Sequence, residues 1–443
     1  MFSNKDLRKL IIPLVIEQLL AVTIGMADTV MVSFCGEAAV SGISLVDSIN
    51  FLLITLFSSL ATGGAVIASQ YIGRGDHKSA SLAAKQLFYA SLALSAVLGV
   101  IAVFFRKPVL NMVFGSIEAD VMAHAQIYFL LSAISYPFLA VYNAGAALFR
   151  SMGDSRTTML ISILMNTINI VGNAILIYGF QMAAAGAATA SLVSRAVGAI
   201  IITVLLLNPR RIIFYDKLHK PEIHLSMLKS ILQIGVPNGL ENSIFQIGKI
   251  LVASIVSGFG TISITANAVA GNLASLQVIP GMALGMAMIT VVGQCIGAKD
   301  YEAVKKYTKK LMLITYGVVW AMTLLMLLFS KQILSFYSLS EETTTMTMEV
   351  FIVHGICAVI VWPLAFALPN ALRAANDVRF TMIVSLLSMW IFRIGFSYIL
   401  AIYFNMGILG TWIAMCIDWF CRGACFVIRF ARGKWKNISF IDN

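Results

Sequence analysis

Apolar residues follow one another along this chain in long runs, which are separated by short breaks that are polar, charged or glycine-containing. A run of roughly 20 apolar residues crosses the hydrocarbon core of a bilayer as an α-helix. The pattern therefore predicts an all-α polytopic membrane protein with twelve transmembrane helices. Their approximate bounds are 10–34, 43–72, 86–105, 124–147, 158–178, 186–207, 232–257, 267–295, 309–329, 348–370, 380–402 and 407–428.

The composition agrees with this fold class. Of the 443 residues, 59% are hydrophobic and 12% are charged, whereas soluble domains carry about 25% charged residues. The first run, Leu10–Phe34, is too long for a signal-peptide core and has no small-residue cleavage site behind it, so we expect it to remain as a spanning helix. The six cysteines show no metal-ligand spacing, and we expect all of them to be thiols.

The net charge of +11 is distributed unevenly over the loops. Alternate loops on one side, with the two termini, hold 24 Lys and Arg residues, and the opposite loops hold only Arg106, Lys107 and Lys331. Basic loops stay on the cytoplasmic side of a membrane. The asymmetry predicts a multi-pass protein of the cell membrane with both termini cytoplasmic. It also accounts for the positive charge without a nucleic-acid partner.

The chain repeats itself at an offset of 224 residues without a gap over the first part of each copy. The matching pairs are Pro13 and Pro237, Glu17 and Glu241, Gly36 and Gly260, Gln70 and Gln294, Gly73 and Gly297, and Asp76 and Asp300. Further on, Arg150 matches Arg373 at an offset of 223. Six spans per copy is an even number, so the copies are parallel repeats. We predict two pseudo-symmetric six-helix lobes, 1–207 and 232–443, joined by a cytoplasmic linker at 208–231.

The repeated motifs resemble signatures of the multidrug and toxic compound extrusion (MATE) family. They are a proline early in the first helix of each lobe, the helix ends SQYIGRGD and GQCIGAKD, and the tight loops FRSMGDSR and LRAANDVR. The resemblance covers nearly the whole chain. It implies secondary active efflux of organic cationic or amphipathic small molecules, driven by antiport of H⁺ or Na⁺ and by rocker-switch alternating access of the lobes. It implies no cofactor.

Polar residues in the first lobe predict a site for the coupling ion. Asp28, Asn173 and Ser191 all lie about 8–9 Å below the predicted outer boundary at a rise of 1.5 Å per residue, and Asn169 lies one turn deeper than Asn173. These four residues offer oxygens suited to Na⁺, and the carboxylate can instead take a proton. Family members carry their cation site at these positions, although some have a second aspartate at Asn173. We expect Asp28 to be the only carboxylate in the external half of this lobe. The alternative is that the amides only join helices.

The second lobe holds charges where the first does not. Lys249 replaces Gly25, Arg393 replaces Asn169, and Asp418 replaces Ser194. One interpretation is that Glu241 and Asp418 form two ion pairs with Lys249 and Arg393 that hold the helices together. The other is that the two acids bind substrate cations or protons. Glu17, the repeat mate of Glu241, is a candidate relay or substrate contact.

Two other functions remain open. A flippase for lipid-linked oligosaccharide resembles MATE exporters in fold and favours a basic cavity for pyrophosphate. A membrane-embedded enzyme needs His or acidic residues clustered at one face, and the five histidines are scattered. The sequence has no phosphate-binding loop and no soluble domain for ATP hydrolysis. We therefore expect a transporter, not an enzyme, that uses no ATP.

Overall fold

The computed structural model describes residues 2–115, 118–216, 218, 220, 222–337 and 339–438. Lys217, His219 and Pro221 of the predicted linker lie outside the described residues. The α-helices are α1 Asn4–Ser33, α2 Glu37–Arg74, α3 His77–Phe114, α4 Ala119–Ser151, α5 Ser155–Asn173, α6 Ala183–Leu206, α7 Leu225–Ser257, α8 Thr261–Gly297, α9 Tyr301–Leu328, α10 Ser330–Ser335, α11 Glu341–Ile360, α12 Leu368–Ala374, α13 Val378–Ser388 and α14 Gly407–Ala431. π-Helical segments occur at Ala174–Gly179, Pro363–Ala367, Met389–Gly395 and Tyr398–Tyr403.

Eleven helices of the described part are long and apolar enough to cross a membrane. The twelfth span is α1, whose 30 residues reach about 45 Å at 1.5 Å per residue. Several helices extend beyond their apolar runs. Arg106 and Lys107, predicted in a loop, lie inside α3, while Arg150 and Arg373, also predicted in loops, lie inside α4 and α12.

The two copies share details of backbone conformation. Asp76 and Asp300 cap α3 and α9 by accepting hydrogen bonds from backbone N–H groups three residues on, at 3.0 and 2.9 Å. Gly153 and its mate Asn376 both have positive φ angles, 82° and 67°. Asparagine tolerates this left-handed region better than most residues. The duplication therefore preserves turn geometry where the residue type has changed.

The chain divides into two compact units, Met1–Gly239 and Leu240–Asn443, and the division falls inside α7. In the first unit α4 packs against α2, α3 and α6. The first half of α7 lies so close to α2 that a Cβ on Gly63 would stand 2.5 Å from the backbone oxygen of Ile231. The connection before α7 is bound to α3: Gln86 donates a hydrogen bond of 2.7 Å to the backbone oxygen of Glu222, and Tyr89 one of 2.8 Å to that of Leu218.

The second unit has a hydrophobic core around α8, α11 and α14 that includes Trp362, Trp412 and Trp419. His354 is buried there, bonded to Gln277 Oε1 at 2.8 Å and in edge contact with Trp412 and Trp419. Cys357 of α11 and Cys416 of α14 form a disulfide. The expectation that every cysteine is a thiol is therefore wrong for this pair, because packing brings together two residues that lie 59 positions apart.

Candidate functional site

Four predicted site residues of the first unit form one chain of hydrogen bonds across α1, α5 and α6. Asn173 Nδ2 donates to Asp28 Oδ1 at 2.5 Å and to Asn169 Oδ1 at 3.4 Å. Asn169 Nδ2 donates to Ser191 Oγ at 3.0 Å. The i, i+4 spacing of the two asparagines places both amides on one helix face. The layer predicted from helix depth thus corresponds to direct contact.

This chain of hydrogen bonds leaves one acceptor oxygen unused. Asn173 Oδ1 is buried and has no hydrogen-bond partner among the described residues. A buried amide oxygen without a donor is costly, and it lies on the residue that contacts the Asp28 carboxylate. A proton on Asp28 would give this oxygen a donor after rotation of the amide. A Na⁺ ion would use the same oxygen together with those of Asp28, Asn169 and Ser191.

A second carboxylate, Asp47 of α2, interacts electrostatically with Asp28, so the expectation that Asp28 is the only carboxylate in this region is wrong. Asp47 Oδ1 accepts hydrogen bonds from Tyr128 at 3.0 Å and from Asn50 at 3.2 Å. Asn50 also accepts one from Tyr136 at 2.7 Å. The sequence signal was present, because an acid within an apolar run is a functional candidate by the same rule that selected Asp28.

Arg195 is a basic residue that interacts with both of these acids. Its guanidinium donates a hydrogen bond of 2.7 Å to Ser135 and interacts electrostatically with Asp28 and Asp47. Two carboxylates and one guanidinium give this cluster a formal charge of −1. This cluster is therefore negatively charged, and a bound proton or Na⁺ would neutralise it.

Glu17 and Glu241 each belong to a buried ion pair. Glu17 accepts hydrogen bonds from Arg150 at 3.1 Å and from Thr158 at 2.8 Å. Glu241 accepts bonds of 2.7 Å from both Arg373 and Ser385. The expected pairing of Glu241 with Lys249 or Arg393 is wrong, because Arg373 lies within a helix rather than in a loop and reaches the carboxylate from there.

Asp418 is fully buried and is bound mainly by a residue of its own helix. Arg422, one turn further along α14, donates to both carboxylate oxygens at 3.2 and 3.3 Å, and Ser388 Oγ also donates to the carboxylate. Arg393, the expected partner, comes no closer than 3.9 Å. The Arg422 side chain is itself only 3% exposed.

Lys249 has no acid within ion-pair distance among the described residues. It lies one turn beyond Phe245 on α7, and the Phe245 ring contacts the guanidinium groups of Arg422 at 5.4 Å and Arg393 at 5.7 Å. The cluster of Lys249, Arg393, Arg422 and Asp418 therefore holds three basic groups and one acid.

Within the described ranges, no three His, Cys, Asp or Glu side chains form a group that could hold a metal ion.

This chain matches a protein-family model and also matches individual proteins over nearly their whole length. A family model described as MatE matches residues 13–175 and 237–399, and the second match begins 224 residues after the first. The relatives include the probable multidrug resistance protein NorM of Thermotoga maritima, 26% identical over 442 residues and covering 98% of this chain and 93% of that protein. They also include the NorM of Bacillus cereus, 29% identical, with coverage of 95% and 93%.

A solved structure supports the fold. An outward-facing multidrug resistance MATE family transporter of the MOP superfamily superposes with a TM-score of 0.89. It covers 98% of this chain and 97% of that one at 20% sequence identity. At this identity the likeness concerns the twelve-helix architecture only.

Proposed function

The chain belongs to the MatE family of transporters, and we propose that it is a secondary active exporter of cationic or amphipathic organic compounds. Two relatives named as probable multidrug resistance proteins support efflux of small toxic compounds. We propose that inward movement of H⁺ or Na⁺ drives the export, and that the two six-helix lobes, 1–207 and 232–443, rock against each other. The protein would lie in the cell membrane with both termini in the cytoplasm.

The observation that carries the coupling proposal is the contact of Asp28 with Asn173, at 2.5 Å. It joins α1 to α5, and Asn173 also has a buried oxygen without a donor among the described residues. A proton or Na⁺ bound here changes which hydrogen bonds connect the two helices. A ligand drives a conformational change only when it binds one state more tightly than the other. Rearranged contacts between α1 and α5 offer that difference.

A flippase for lipid-linked oligosaccharide remains a second candidate because of one observation. The second unit has more basic than acidic groups around Phe245, and such a charge suits a pyrophosphate. The buried carboxylate of Asp418 offsets part of it. A membrane-embedded enzyme has no comparable support, and the family consists of transporters.

The test is transport by the purified protein in proteoliposomes. We would measure movement of a cationic dye, ethidium, and an anionic one, dansyl-leucine, under an imposed pH gradient, an imposed Na⁺ gradient and no gradient. Gradient-dependent accumulation of either dye is expected, and the gradient that supports it identifies the coupling ion. If neither dye moves under either gradient, while protein incorporation is normal, the proposed function is contradicted.

A further inference from the structure

We infer that the second unit contains a binding subsite for the acid group of an amphipathic organic anion, formed by Lys249 and Arg393. This inference rests on the proposed export function and specifies the class of compound. The two side chains come from α7 and from the π-helical segment Met389–Gly395. π-Helical turns occur frequently at functional sites.

One face of α7 brings the subsite together. Glu241, Phe245 and Lys249 are spaced four residues apart and lie on one helical face. At one end of the face Glu241 is bound by Arg373 and Ser385. In the middle, the Phe245 ring contacts the guanidinium of Arg393. Lys249 is the next residue of the face, and it interacts electrostatically with Arg393.

The only acid of the cluster is already bound. Asp418 receives hydrogen bonds from Arg422 and Ser388, and the 3.9 Å separation from Arg393 is longer than a hydrogen bond. Formally, two basic groups remain without a counter-charge. Basic groups within a membrane-spanning region are costly unless they are paired. An anion bound between Lys249 and Arg393 would provide the missing charge.

Both side chains keep donors available. The side chain of Arg393 makes no hydrogen bond within the described ranges, although it is only 11% exposed, and its Nε is buried without a partner there. Part of the Lys249 residue is exposed, which leaves room for a ligand to approach its side chain. A guanidinium next to an ammonium group suits a carboxylate, sulfonate or phosphate. Phe245 beside them offers an apolar surface for the rest of an amphipathic molecule.

The repeat shows that these charges are specific to the second copy. The mates of Lys249 and Arg393 are Gly25 and Asn169, and Asn169 belongs to the hydrogen-bond chain that includes Asp28. The same scaffold thus carries a carboxylate-and-amide cluster in one copy and a basic cluster in the other. The first suits a cation and the second an anion.

The experiment compares two probes that differ by one negative charge, dansyl-leucine and its neutral amide, dansyl-leucinamide. Their binding to the full-length protein in a nonionic detergent is followed by dansyl fluorescence anisotropy. We expect the acid to bind about tenfold more tightly than the amide, which is the scale of one charge-assisted hydrogen bond. Lys249→Met should remove most of this preference, and Lys249→Arg should retain it.

Two further variants sharpen the comparison. Lys306→Met removes an exposed basic residue from α9 and should leave the preference unchanged. Arg393→Gln should weaken acid binding as Lys249→Met does; if it fails to fold, the Lys249 variants still decide the matter. Equal affinity of the wild-type protein for the two probes, or an unchanged preference in Lys249→Met, would refute the subsite.

The acid group of the natural ligand can belong to a soluble compound or to a lipid. Displacement of dansyl-leucine by phosphatidylglycerol but not by phosphatidylcholine would identify a lipid headgroup, and lack of displacement a soluble anion. Since this binding assay requires no ion gradient, its failure is separable from failure of the export function. Export without an acid preference refutes the subsite alone, and an acid preference without export refutes the function alone.

Discussion

Arg373 Nη2 donates a hydrogen bond of 2.7 Å to Glu241 Oε1, and both side chains are largely buried. Their repeat mates, Arg150 and Glu17, make the corresponding contact at 3.1 Å in the first unit. The duplication has therefore kept a buried ion pair in each copy, although other buried charges differ between the copies. Such conservation between repeats indicates a structural role for the pair in each six-helix lobe.

We expect Arg373→Met to destabilise the protein, because the Glu241 carboxylate would stay buried with Ser385 as its remaining donor. Loss of one partner of a buried pair costs about 3–5 kcal/mol. The free energy of unfolding, measured by titration with sodium dodecyl sulfate, should fall by this order. The double variant Glu241→Gln with Arg373→Met should recover most of it. A single variant as stable as the wild type would show that the pair contributes nothing.

The contribution of Asp418 to the folded yield should depend more on its contact with Arg422 than on its contact with Arg393. Asp418→Asn leaves the guanidinium of Arg422 without the carboxylate that it contacts at 3.2 and 3.3 Å, so the folded yield should drop. Adding Arg422→Met should restore more of that yield than adding Arg393→Met, since Arg393 lies 3.9 Å away. Yield is measured as the monodisperse fraction in size-exclusion chromatography. Better rescue by Arg393→Met would reverse the assignment of partners.

Asp28→Asn should abolish gradient-driven export. The substitution removes the carboxylate that can bind a proton or Na⁺. Because it keeps the shape of the side chain, the folded yield should stay near that of the wild type. Asp120→Asn is the matched control, because it removes an exposed carboxylate from the first turn of α4, and transport should remain near that of the wild type. Dye flux in proteoliposomes measures both. Full, gradient-dependent flux in Asp28→Asn would eliminate the proposed ion site.

Asn173→Asp should change the ion dependence without abolishing transport. The new carboxylate would lie next to Asp28, whose Oδ1 is 2.5 Å from the present amide nitrogen. Two adjacent carboxylates repel each other, and binding of a proton or a Na⁺ ion relieves the repulsion. We expect the dependence of dye flux on external pH or Na⁺ concentration to shift toward binding of the ion at lower concentration. An unchanged dependence would place the coupling ion elsewhere.

The orientation follows from labelling of single cysteines in a background in which Cys35, Cys295, Cys421 and Cys425 are replaced by serine. Impermeant maleimide on intact cells should label Glu118→Cys and Glu341→Cys. It should label His77→Cys and Glu302→Cys only after permeabilisation. The reason is that the loops on one side, with the termini, hold 24 basic residues, whereas the opposite loops hold 3. Labelling of Glu302→Cys in intact cells would overturn the orientation.

Much of the geometry of the proposed ion site follows from sequence spacing. Asp28, Asn173 and Ser191 share a depth that can be counted along the helices, and the two amides share a face through their i, i+4 spacing. Depth did not reveal the contacts in the second unit, however. Which acid Arg373, Arg393 or Arg422 meets depends on the rotation of each helix and on the reach of a long side chain. Neither quantity is contained in a hydropathy pattern.

The sequence alone determined the number of spans, the duplication and the family. A bilayer fixes the length of an apolar helix, and each helix satisfies its own backbone hydrogen bonds, so these features are local. Only the tertiary structure decided that Glu241 pairs with Arg373, that Asp418 pairs with Arg422, and that Lys249 has no acidic partner among the described residues. Ion pairs are short-range contacts between different helices or turns. Their partners are therefore set by packing, which brings together side chains that sequence distance keeps apart.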